Sequence, residues 1–177
     1  MDPKDYNPET GATAPETEEQ PTQPVAPRRF PTAKPGTPEN KQYRTAEQVE
    51  KIITDALGDR MGMINCVHLP DVEYFLPPLG DVEEILRYSE VDRRKYISEI
   101  NDCDDFAHTL KSDFILAAYA EGARRAPFAF GIIWGLLPEA HAQNWVITDD
   151  EVLHIIEPQN DQISTPDVIT QVWLMVA

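Results

Sequence analysis

The chain lacks any run of 18 apolar residues, so nothing in it reads as a membrane-spanning helix. Its first residues, Met-Asp-Pro-Lys-Asp, lack the apolar core of a secretory signal. Cysteine is scarce. Cys66 and Cys103 cannot build a disulfide framework and suit a reducing compartment, with a single Cys66–Cys103 bridge as the one pairing open to them. Positive charge is short as well. Fifteen Lys and Arg face 31 Asp and Glu, a net charge of −16, which disfavours nucleic acid and anionic membrane as partners. Together these features predict a cytoplasmic protein of the producing cell, or one packaged in a virion.

Residues 1–43 hold nine of the sixteen prolines and few large apolar side chains, namely Tyr6, Val25, Phe30 and Tyr43. Such a segment cannot bury enough surface to offset its ordering entropy, and proline removes backbone donors. It predicts an extended Pro-rich arm that packs on other protein subunits of an assembly, ahead of a folded domain over residues 44–177.

Within that domain, Thr45 and Gln48 have capping-box spacing, and Val49, Ile52, Ile53, Ala56 and Leu57 share one helical face closed by Gly58. Met63 to Leu69 reads as a short strand, and Asp71 to Gly80 as a connector. Asp81 and Glu84 mark a short helix start, as do Ser89 and Asp92. A longer helix is predicted from Cys103 to Ala120, with Phe106, Leu110, Phe114 and Ala117 buried, Ile115 beside them, and Gly122 past its end. Phe128 to Leu137, His141 to Thr148, Val152 to Glu157 and Val168 to Val176 then read as strands. Helices followed by an antiparallel sheet make an α+β domain.

Three motifs carry chemistry. Asp102-Cys103-Asp104-Asp105-Phe106-Ala107 places a thiol at a helix N-terminus, where free backbone N–H groups favour negative charge. His141-Ala142-Gln143-Asn144 opens a strand, and Ile155-Ile156-Glu157-Pro158-Gln159 closes the next. A thiol nucleophile needs a histidine to move its proton and a third polar group to hold the imidazole. Parity tests this set. A two-residue loop at Asp149-Asp150 sends His141 and Glu157 to opposite faces. A three-residue loop, Asp149 to Glu151, places His141, Gln143, Trp145 and Glu157 on one face, with Glu157 diagonal to His141. Asn144 and Gln159 are alternative orienting groups. A cysteine at a helix start is otherwise a small buried residue, His108 and His154 read as structural or exposed, and Cys66 with His68 is too little for zinc.

In this order, "DCDDFA", "HAxN" and "IIEPQ" resemble the papain-like cysteine protease domain at the C-terminus of the fairy-ring mushroom agglutinin, over residues 64 to 177. Related domains occur in bacterial and bacteriophage proteins. The resemblance implies Cys103 as nucleophile, His141 as base and Glu157 as its partner, with a peptide as substrate. It also implies a calcium requirement, with Asp102, Asp104 and Asp105 as ligands. The carboxylates crowd the sulfur with like charge, which a hard cation would relieve. The resemblance offers no glutamine upstream of the cysteine as oxyanion donor; Asn101 is the nearest polar side chain. The function expected from the sequence is a papain-like cysteine hydrolase or peptidase carried by a component of a larger assembly. The alternative is an inactive structural protein of a virus particle, tied to its neighbours by the arm.

Overall fold

The computed structural model describes residues 42–62, 66–120, 125–137 and 139–177. The arm, apart from its last two residues, lies outside them, as do Met63 to Asn65 and Gly122. The fold is α+β. Helix α1 (Ala46–Leu57) begins as its sequence predicts. Thr45 accepts from the Gln48 N–H while the Gln48 side chain accepts from the Thr45 N–H, and Gly58, at φ 52°, closes the helix. Strands β1 (Tyr43–Thr45) and β3 (Glu73–Phe75) pair antiparallel as a small sheet of their own. β3 falls inside the stretch read as a connector. Helix α2 (Leu79–Tyr88) starts behind Pro78 and not at Asp81, which sits in its first turn.

The main sheet has six strands. β2 (Val67–His68) runs parallel to β8 (Gln171–Val176). β8, β4 (Phe130–Leu136), β5 (Ala140–Ile147), β6 (Leu153–Glu157) and β7 (Gln162–Ser164) follow in antiparallel order. The sheet is thus mixed where an antiparallel one is expected. Only the β2–β8 pair departs, because β2 enters from the opposite end.

Helices cover both faces. On one side α2 and α3 (Cys103–Ala120) bury Ile85, Leu86, Phe106, Leu110 and Phe114 against Phe130, Val146 and Ile156. On the other, Val49, Ile53 and Leu57 of α1 meet Ile133, Trp145, Ile147 and Ile155. Neighbouring residues of β5 therefore belong to opposite cores, as strand alternation requires. Phe114 stacks on Phe130 with ring centroids 3.7 Å apart. Ile115, placed beside the buried stripe by sequence, is 55% exposed. Tyr43 is buried against Phe75, with the Arg125 guanidinium over its ring. It is therefore part of the domain core and not an anchor of the arm, and Arg125 is tied to Glu73 by two 2.8 Å hydrogen bonds.

The Asp161 carboxyl, in the turn between β6 and β7, is pushed up to about 6 by burial and by the Asp92 charge, against the pull of Arg93. A raised carboxyl pKa means that the folded protein resists ionisation. Stability should therefore fall as pH rises from 3.8, the ordinary value, to about 6. Asp161→Asn should remove that slope and raise the urea midpoint at pH 7. An unchanged slope would place the perturbation elsewhere. Asn tolerates the positive φ of 58° at this position.

Candidate functional site: a thiol, an imidazole and a carboxylate

The β5–β6 hairpin has the odd loop. Asn144 pairs Ile156 and Trp145 pairs Ile155, leaving Asp149, Asp150 and Glu151 as the turn, with Glu151 at φ 63°. That register puts His141, Gln143 and Glu157 on one face. His141 Nε2 lies 2.7 Å from Glu157 Oε2, and Gln143 Nε2 donates to the same oxygen at 2.8 Å. The Gln159 backbone N–H donates to Glu157 Oε1 at 3.1 Å. Burial pushes the Glu157 carboxyl up, but these hydrogen bonds outweigh it and hold the pKa below the usual range. His141 Nδ1 carries no hydrogen bond from any described residue.

Cys103 opens α3, where the first-turn backbone N–H groups have no intrahelical acceptor. Its side chain is partly buried against the cluster of Ala107, Ile132 and Ala142, with Trp134 alongside. Ala142 is the residue after His141, so the thiol lies against the start of β5. No hydrogen bond links Cys103 and His141 among the described residues. β5 presents Ala142 and Asn144 to α3 and His141 to the other face of its pleat. Asn144 binds the carbonyls of Ala107 and Gly131 at 3.0 and 3.1 Å. It is thus a clamp between helix and sheet, not an orienter of the histidine. Gln143 takes that role. The register alone could have singled it out, since it stands opposite Glu157.

Of the three aspartates, Asp102 and Asp104 converge with Cys103, their ligand atoms within 4.8 Å of one another. Asp105 turns back to accept from the Asp102 N–H at 3.3 Å. A hydrogen bond to Asp102 raises the Asp104 pKa, with burial and the neighbouring negative charges adding to it. Asn101 donates to the Lys95 carbonyl at 2.8 Å and is not aimed at the thiol. Both cysteines are free, so there is no Cys66–Cys103 bridge. Cys66 is buried beside Met61, with 3.9 Å between the two sulfurs. His108 packs its ring against Trp134, and His154 bonds Thr148 Oγ1 at 3.1 Å.

Residues 74–163 match the family described as "Agglutinin C-terminal". The chain belongs to this family. Solved structures agree with the fold of the Agglutinin C-terminal domain seen here. One, a complex of PSL1a with E64, is 22% identical, with a TM-score of 0.63 over 77% of this chain and 51% of the other. A second, the Polyporus squamosus lectin bound to the human-type influenza-binding epitope Neu5Acα2-6Galβ1-4GlcNAc, is 21% identical, with a TM-score of 0.62 over 77% and 50%. The chain thus spans about half the length of each. No curated protein sequence matches it. These names correct the sequence reading. The family description says agglutinin and the second structure is called a lectin, and none of these three names says protease, hydrolase, viral or phage structural protein, or calcium binder. Among the described residues no helix is long and apolar enough to cross a membrane.

Glu157 gives the site a pH signature. Its pKa is lower folded than unfolded, so its contribution to stability is present above 4.5, its ordinary value, and is lost as pH falls through the lower folded value. Glu157→Gln should be less stable than the parent at pH 7, and the gap should close as pH drops below that range. Urea midpoints at several pH values check this, and a gap independent of pH would count against it.

Proposed function

We propose that the domain is a thiol-dependent acyl-transfer module that acts on an amide or ester carbonyl. The observation that carries this reading is the His141–Glu157 hydrogen bond at 2.7 Å, which occupies Nε2 and leaves Nδ1 available one residue from the Ala142 contact with Cys103. In this reading Nδ1 takes the Cys103 proton as the sulfur attacks the carbonyl carbon, and returns it to the leaving group. The backbone N–H of Cys103, in the first turn of α3, faces the developing oxyanion. Glu157, held by Gln143 and Gln159, fixes the imidazole and offsets its charge when protonated. Water or a second nucleophile then releases the acyl group from the thioester. In this reading the Cys103–His141 pair closes with the His141–Glu157 hydrogen bond kept.

The test is acylation by p-nitrophenyl acetate, read by nitrophenolate release and intact mass. One acetyl group on Cys103, absent from Cys103→Ala, supports the proposal. An adduct elsewhere, or none, overturns it. A second reading, glycan binding, rests on the lectin bound to a sialylated trisaccharide. Titration of the chain with Neu5Acα2-6Galβ1-4GlcNAc by calorimetry checks it, and no heat of binding at millimolar sugar sinks it.

A further inference from the structure

Beyond the thiol site, α3 lines a second cavity of about 180 Å³ with its later turns. Phe114, Phe128, Phe130 and the buried Tyr74 make its apolar wall, and Lys111 and Asp71 bring polar groups to it. Lys111, at its first helical contact, stands two turns beyond Cys103, roughly 12 Å along the axis, so the cavity is a separate place on the domain.

The polar groups are unusual. Lys111 is half-buried and makes no hydrogen bond or contact ion pair with any described residue. Burial lowers its pKa, and the nearby Asp71 charge partly restores it. A lysine stem can cover apolar surface and keep its ammonium in water, and here the residue lines a cavity. Tyr74 is fully buried. Its oxygen accepts from the Asp71 N–H at 3.0 Å, and its hydroxyl proton has no acceptor among the described residues. With no accessible surface, this hydroxyl lies behind the cavity wall, and Lys111 and Asp71 are the polar groups open to a ligand.

We propose that this cavity binds a small zwitterion with an apolar side chain, of the class of a free hydrophobic α-amino acid. The carboxylate takes the Lys111 ammonium, the ammonium takes the Asp71 carboxylate, and the side chain lies against Phe114, Phe128 and Phe130. Charge selects a zwitterion over its alternatives. A simple anion meets both Asp71 and the field of a chain with net charge −16. A simple cation leaves Lys111 unpaired. Ligand sites of this kind combine an apolar lining with a few convergent polar groups.

Calorimetry of the full chain with L-phenylalanine tests the inference. 3-Phenylpropionate lacks the ammonium, phenethylamine lacks the carboxylate, and glycine lacks the side chain. L-Phenylalanine should bind at least tenfold more tightly than any of the three. Lys111→Met and Asp71→Asn, with urea midpoints showing an intact fold, should each weaken it at least tenfold. Ala118→Leu, which fills the cavity from α3, should abolish it, and Cys103→Ala should bind as the parent does. No binding of L-phenylalanine at about 10 mM overturns the proposal. So does equal binding of 3-phenylpropionate, or binding indifferent to Lys111 and Asp71.

Discussion

Replacing His141 with alanine is expected to slow acetylation of Cys103 by p-nitrophenyl acetate by roughly a hundred- to ten-thousand-fold, the range a positioned general base supplies. Glu157 fixes the imidazole through Nε2, so Nδ1 is the atom left to take the thiol proton. Without the ring the thiol must ionise unaided, beside Asp102 and Asp104. Glu157→Gln should show a smaller loss, because Gln143 and the loop at Gln159 still shape the pocket around the ring. The pH–rate profile separates the roles. The parent should show an ascending limb that disappears in His141→Ala, whereas a purely structural histidine would leave the limb in place. Equal rates for parent and His141→Ala would remove the histidine from the chemistry.

Gly131→Ala should be the most damaging single methyl group in the domain, costing on the order of 3 kcal/mol or preventing folding altogether. A β-carbon at this position would lie 2.0 Å from the Val176 carbonyl oxygen and 2.7 Å from Trp145 Nε1. One neighbour is backbone of β8 and the other a fully buried indole, so neither has room to yield. The Gly131 carbonyl also accepts from Asn144, so any shift of β4 would loosen the clamp to α3. Urea denaturation of the purified variant measures the loss. A midpoint within experimental error of the parent would mean that β4 and β8 can separate more easily than their register implies. Gly80→Ala, where an added β-carbon meets nothing within 4 Å, is the matched control.

What could be read from the sequence was local, or fixed by parity. Thr45 and Gln48 cap α1 through contacts three residues apart, and α3 spans Cys103 to Ala120 because its apolar residues repeat on one face. The His141–Glu157 contact follows from the loop length alone, since one residue more or fewer would send the two side chains apart. What could not be read depends on distant partners. β1 and β3 are three residues each and exist as strands only because they find each other, which is also why Tyr43 looked like part of the arm. The parallel β2–β8 pair has no local signature. Ile115 fits the helical stripe yet lies at its exposed margin, lining the cavity. Asn144 and Gln143 carry similar amides on adjacent residues. Only the pleat decides that one binds the helix and the other the Glu157 carboxylate.

The position of β8 in the sheet has a temporal consequence. β8 is the last strand in chain order, yet it lies between β2, near the start of the domain, and β4. On a ribosome, β4 to β7 can pair as they emerge, because each meets a neighbour made just before it. β2 must wait until β8 has been synthesised, with Cys66 and the apolar face of α1 deprived meanwhile of Val172 and Met175. The nascent domain thus carries an open edge on β4 until β8 has been made. That is when an aggregating neighbour or a chaperone has its best chance to bind.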